Sequence, residues 1–270
     1  MVSQLMLVPL VQRGYRRICH LIQRIRLKMA FIPPEWFCFH EYDPRMFYIL
    51  DKQKLVYLAI PKVATTSILL TISESYGLKI KRGLIHSNPF WHCQLGKLNK
   101  AQTPYHKFTF IRNPFDRLVS CYKEKIVNRY NRKLPPFYNG PHLSVPENAS
   151  FAQFVQIVSD TPDCLADRHF KSQYAILYRK NNLLVDWVGR FEHLAENWAE
   201  LAEKYNLRPH LLHKLSSHNF ENTPRDYKLY YTREFADMVY KRYQKDVDLL
   251  GYSDAYQELL GFIESQRSEK

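Results

Sequence analysis

Lys62 stands in a run, Pro61-Lys62-Val63-Ala64-Thr65-Thr66-Ser67, that gathers one ammonium and three hydroxyls into six residues. About fifty residues later Arg112 opens a second run, Arg112-Asn-Pro-Phe-Asp-Arg-Leu-Val-Ser120, which pairs a guanidinium with a more distant hydroxyl. An ammonium is a compact charge with three donors, and a guanidinium is a planar fork that matches two phosphate oxygens at once. Together they are the chemistry of gripping two phosphate groups. A structural ion pair between Arg112 and Asp116 is the competing use of that arginine.

These residues need elements to aim them. Leu55 to Ile60 is an apolar, β-rich run that Pro61 stops, and Thr65-Thr66-Ser67 then opens an amphipathic stretch containing Ile68, Leu69 and Ile72. A helix starting there points its unpaired N–H groups and the positive end of its dipole at an anion, with Lys62 adding a full charge. The glycine-rich signature of nucleoside triphosphatases is missing, because no glycine occurs between Leu55 and Gly77. In the second segment Phe108 to Ile111 reads as a strand, Asn113 as an N-cap and Pro114 as the first helical residue. Phe115, Leu118, Val119, Tyr122 and Ile126 share one helical face, and Ser120 lies two turns along.

The paired runs resemble the 5'-phosphosulfate loop and the 3'-phosphate motif of the carbohydrate sulfotransferases, in the branch of the chondroitin and dermatan 4-O- and heparan 2-O-sulfotransferases. Asp167-Arg-His169, Val188-Gly-Arg-Phe-Glu192, Tyr243-x-x-Asp246 and Leu250-Gly-Tyr252 are similar to later landmarks, so the likeness runs over roughly residues 50 to 252. The resemblance implies that 3'-phosphoadenosine 5'-phosphosulfate (PAPS) is the sulfuryl donor. Pro61, Lys62, Val63, Ala64, Thr65, Thr66 and Ser67 would then hold the 5'-phosphate, and Arg112 and Ser120 the 3'-phosphate. It also implies a carbohydrate acceptor; basic charge favours an acidic glycan, with glycolipid, lipid, small-sugar and peptide hydroxyls as the open alternatives.

Moving a sulfuryl group to an alcohol is an in-line displacement that needs cations at the leaving group and a base at the nucleophile. Lys62 is the candidate cation. Heparan 2-O-sulfotransferases use a histidine between the two phosphate motifs, and by that resemblance His86 and His92 are the candidate bases, His86 placed first. His106 lies too far down its strand. The cluster Asp167-Arg168-His169-Phe170-Lys171-Ser172-Gln173 offers Arg168, His169, Lys171 and Gln173 to an acceptor, against the alternative of a capped turn with a solvated basic face. Ser217, with His218 and Asn219, sits in a polar loop that in related enzymes closes over the nucleotide. The scheme requires no metal, and no metal-ligand spacing is visible.

Composition is consistent with an anion binder. The formal net charge is +13, and residues 1 to 30 carry Arg13, Arg16, Arg17, Arg24, Arg26 and Lys28 without an acid. The apolar stretch Val2 to Val11 is broken by Pro9 and falls short of the ~20 residues a membrane span needs. The expectation is therefore no Golgi-type anchor and a cytoplasmic protein, as in a bacterial member of the family, with the arm either in peripheral contact with a membrane or packed as a helix on the domain with its arginines in solvent. The cysteine count of five is odd and the spacing wide, which indicates neither a zinc site nor a disulfide framework. Asn148-Ala-Ser150 is a glycosylation triplet, but Ser150 and Gln153 also form a capping box.

The resulting organisation is a basic arm over 1–48, an α/β domain over 49–256 and a polar tail over 257–270. The domain is expected to be a P-loop-like parallel β-sheet flanked by helices, with strands at 55–60, 107–111 and 184–191 and helices at 65–75, 114–130, 150–159, 195–205 and 232–249. Ligands then bind at the carboxyl ends of the strands. The competing class is a basic nucleic-acid or membrane-surface binding protein without catalysis, whose charge would form a stripe with no ordered pair of phosphate turns. With the paired turns present, no nucleic-acid partner is expected. A phosphotransferase would need a magnesium-binding carboxylate at a strand end, and only Asp116 and Asp186 stand near.

Overall fold

A computed structural model describes residues 47–81, 85, 98–133, 137, 139–140, 143–212 and 226–268. Strands β1 (Phe47–Leu50), β2 (Leu55–Leu58), β3 (His106–Ile111) and β4 (Trp187–Arg190) form one sheet in that spatial order. β2, β3 and β4 run parallel. β1 pairs antiparallel with β2, so the sheet is mixed where an all-parallel one is expected from sequence. Every residue of β1 and β2 is buried, the signature of strands covered on both faces.

Helix α1 (Thr65–Ser75) follows β2, and α2 (Pro114–Tyr122) follows β3. The first core cluster joins the sheet to α1 and to α5 (Leu194–Lys204) through Tyr57, Phe108, Phe110, Leu69 and Trp198. A second cluster packs α2 against α3 (Phe151–Asp160), α6 (Arg233–Arg242), α7 (Gln244–Leu249) and α8 (Ser253–Ser268) through Phe115, Phe154, Val239, Val247 and Leu259. The Ser150–Gln153 capping box at α3 is formed.

Three expectations need correcting. The stretch 257–268 is not a tail but the body of α8, whose Leu259, Leu260 and Ile263 are buried. The helix expected over 232–249 breaks at Tyr243, which leaves the helical conformation while its hydroxyl donates to the Phe170 carbonyl at 2.6 Å. The helix expected over 114–130 passes through a π-helical turn at Lys123–Val127 before its last turn, Asn128–Asn131. Such a turn inserts a residue and shifts the side chains that follow, a device frequent at functional sites.

Candidate donor site at the strand ends

The turn between β2 and α1 is bent into an uncommon shape. Lys62 and Ala64 both have positive φ, 71° and 52°, with Val63 between them at negative φ. Neither is glycine, so each costs on the order of 1–2 kcal/mol. Alternating handedness turns successive N–H groups toward one side, as in anion-binding nests. Ala64 is the N-cap of α1, and its methyl side chain supplies no capping acceptor. The Thr65 hydroxyl is engaged with the Ile60 carbonyl at 2.8 Å, so it fixes the turn. Pro61, Val63 and Ser67 are buried, while Ala64 and Thr66 are partly exposed.

The second motif closes over this turn. Asn113 caps α2 by accepting from the Phe115 N–H at 3.0 Å, with Pro114 at the helix start. Arg112 donates from Nη1 to the Lys62 carbonyl at 3.0 Å, and from Nε to Asp116 Oδ2 at 2.8 Å. Its guanidinium carbon lies 4.0 Å from the centre of the Phe191 ring. The ion pair with Asp116 is therefore present, and it holds the fork against the turn. Asp116, Ser120 and Glu124 follow at four-residue spacing along one side of α2 and its π turn. The Lys62 ammonium pairs with Glu124 on that turn, and Lys125 pairs with the same carboxylate at 3.1 Å. Lys62 thus touches the start of the second motif through its carbonyl on Arg112 and the π turn beyond that motif through its ammonium on Glu124.

Burial pulls the Lys62 ammonium below its ordinary pKa, with Glu124 opposing that shift. Burial pushes the Glu124 carboxyl up, but the charges of Lys62 and Lys125 and their hydrogen bonds overcome it and bring it to about 2. Beside them the Cys121 thiol is pushed up to about 12 by burial, which makes it an inert part of the core.

Arg117 is the residue the sequence did not reveal. It is 2% exposed, and it donates from Nε to the Pro61 carbonyl at 3.0 Å, from Nη1 to Lys171 at 2.8 Å and from Nη2 to Arg168 at 3.3 Å. One guanidinium therefore ties the phosphate turn to the 168–171 segment. The available signal was its place one helical turn before Cys121 on a buried face.

Gln173 corrects an expectation. Its amide is fully buried, accepting from the Arg112 N–H at 2.9 Å and donating to the Arg112 carbonyl at 2.7 Å, so it fixes the end of β3 and has no face for an acceptor. Arg168, His169 and Lys171 are partly exposed. His169 Nδ1 lies 2.6 Å from Asp167 Oδ1. The expected residues His86, His92 and Ser217, with His218 and Asn219, lie outside the described residues. His106 sits at the amino end of β3, stacked on Tyr205 and away from Arg112. Asp186 likewise bonds the Lys107 N–H at 2.7 Å at that far end. With Asp116 committed to Arg112, neither acid is placed as a phosphotransferase's metal ligand. Among the described residues no group of three or more acids, histidines or cysteines could hold a metal ion. Nor is any described helix long and apolar enough to cross a membrane.

The later landmarks converge behind the site. Glu192 accepts from the Asn113 N–H at 2.6 Å and from the Tyr252 hydroxyl at 3.1 Å. Arg190 donates to the Leu250 carbonyl at 2.9 Å. Asp246 is fully buried and accepts from the Gln173 and Tyr174 N–H groups, capping α4 (Gln173–Leu177).

A strand-turn-helix pair with cations at the carboxyl ends of parallel strands belongs to the α/β class in which ligands bind at the strand ends. The model of the sulfotransferase family matches residues 45–253, and the chain belongs to that family. The chain is 26% identical to mouse carbohydrate sulfotransferase 12 over 259 residues, covering 78% of this chain and 61% of the relative. It is 27% identical to the Xenopus laevis protein of the same name over 201 residues, covering 58% and 47%. Rat carbohydrate sulfotransferase 11 is 24% identical over 181 residues, covering 57% and 51%. The chain thus spans about half to three-fifths of the length of these relatives. No solved structure matches it.

Proposed function

We propose that this protein transfers the sulfuryl group of PAPS to a hydroxyl of a carbohydrate acceptor by in-line displacement. The observation that carries the reading is the direct contact of the two motifs, Arg112 Nη1 on the Lys62 carbonyl, within a family whose relatives are named carbohydrate sulfotransferases. The first-turn N–H groups of α1 would take the 5'-phosphate, and Arg112 with Ser120 the 3'-phosphate. Lys62 would leave Glu124 for the bridging oxygen and neutralise the charge that builds on the departing phosphate. Lys123, Lys125, Arg168 and Lys171 add positive charge around the site, which suits an anionic glycan.

The test is incubation of the full chain with sulfur-labelled PAPS and a panel of desulfated chondroitin, heparosan and a neutral glycolipid. Label is expected in at least one carbohydrate, with Lys62→Ala lowering the rate by about 10²-fold or more. Label in none of them, from protein that binds the donor, would contradict a carbohydrate acceptor.

A further inference from the structure

The segment between α3 and α4 holds a second pair of groups arranged for chemistry. Asp167 Oδ1 lies 2.6 Å from His169 Nδ1 and also accepts the His169 backbone N–H at 2.9 Å, so the ring is fixed against its own turn. Burial pushes the Asp167 carboxyl up, but the hydrogen bonds and charge of His169 overcome it and keep it below its ordinary range. An ionised carboxylate can only accept, so Nδ1 carries the proton and Nε2 presents a lone pair. Among the described residues Nε2 has no hydrogen-bond partner. Phe137 covers the ring edge-on at 5.8 Å, and the charged groups bearing on it are Asp167, Lys125 and Arg168.

Arg117 sets where this pair stands. Because its guanidinium bonds both the Pro61 and Arg168 carbonyls, those oxygens lie within roughly 9 Å of each other. His169 follows Arg168 directly. The Phe137 ring that meets His169 also lies 5.7 Å from the Lys125 ammonium, Lys125 pairs with Glu124 at 3.1 Å and Glu124 pairs with Lys62, so a short run of contacts joins the dyad to the lysine. Arg168 Nε is a buried donor with no partner among the described residues, and such an orphan asks for an absent acceptor.

Resting on the sulfotransferase reading above, we propose that Asp167 and His169 form an acid–base dyad in which His169 Nε2 takes the proton of the acceptor hydroxyl. The hydroxyl oxygen bonds to sulfur as the bond from sulfur to the 5'-phosphate oxygen breaks. The electron pair of that bond leaves with the bisphosphate product, and the hydroxyl proton passes to Nε2. Asp167 stabilises the imidazolium until the proton returns to water. Burial lowers the His169 pKa, with Asp167 opposing, so the imidazole is neutral and ready to accept at pH 7.

The experiment measures PAPS turnover by the full chain, with desulfated chondroitin as acceptor and with water as sole nucleophile, beside calorimetric binding of the 3',5'-bisphosphate. For His169→Gln, kcat is expected to fall by about 10²-fold or more with either nucleophile, while the bisphosphate Kd stays within about twofold. For Asp167→Asn, turnover falls and the acid limb of the pH profile moves to lower pH, because the imidazolium has lost its carboxylate. Wild-type turnover and pH profile in His169→Gln, or loss of bisphosphate binding in step with turnover, would overturn the dyad and leave the sulfotransferase reading standing. Failure of the wild-type chain to bind the bisphosphate or consume PAPS would remove that reading first.

Discussion

Arg117 and Arg112 stand five positions apart in one motif and do opposite work. Arg117 spends its donors on the carbonyls of Pro61, Arg168 and Lys171, whereas Arg112 is held at the rim of the turn by Asp116 and Phe191. Arg117→Ala leaves buried carbonyls without a donor, and urea unfolding should show a loss of about 3 kcal/mol. An unchanged midpoint would mean the strut is not needed. Glu124 gives a pH signature. Its carboxyl falls from an ordinary 4.5 to about 2 in the folded chain, so its contribution is complete above pH 4.5 and is lost as pH falls toward 2. The stability gap between wild type and Glu124→Gln should therefore narrow over that window, and a gap that widens with acid would contradict the pairing with Lys62. The position of Arg112 at the end of a buried strand, and its pairing with Asp116, were legible from the sequence. The role of Arg117 was not, because an arginine on a helix reads as solvated until the carbonyls it meets, fifty residues away in either direction, are known.

At the scale of elements, the β3–β4 pairing is what brings the landmark motifs together. Gly189 lies under the Phe110 and Trp187 rings, where an added Cβ would come within 2.5 Å of Phe110. Gly189→Ala should cost about 1–3 kcal/mol by overpacking and lower Tm, and a neutral substitution would show that the sheet can move aside. Asp246 joins α7 to the start of α4 and hence to Gln173 and the end of β3. Asp246→Ala should cost about 2–3 kcal/mol by orphaning two buried N–H groups, measured by urea unfolding. An unaltered unfolding midpoint would contradict that coupling. The turn-capping elements α1, α2 and α3 were readable because Pro, Asn and Ser mark helix starts locally. β1 was missed because a four-residue apolar run carries no period, and α8 because its buried Leu259, Leu260 and Ile263 are interspersed with charged and polar residues near the end of the chain. The break at Tyr243 depends on the distant Phe170 carbonyl, which no local pattern encodes.

Over the whole molecule, a net charge of +13 and a cluster of cations at one end of the sheet favour anions. For an acidic glycan acceptor, KM should rise several-fold between about 0.05 and 0.2 M salt, as the screening length shortens from roughly 14 to 7 Å. A salt-independent KM would point to a neutral acceptor. The central claim is that two phosphate turns, joined through Lys62 and Arg112, form one site for a nucleotide with phosphates on both its 3' and 5' positions. The direct measurement is calorimetric titration of the full chain with adenosine 3',5'-bisphosphate, run beside ATP and beside Arg112→Ala. Micromolar binding of the bisphosphate, about 8 kcal/mol, that ATP does not match and that Arg112→Ala removes is the predicted result. Equal binding of the two nucleotides, or bisphosphate binding indifferent to Arg112, would contradict it.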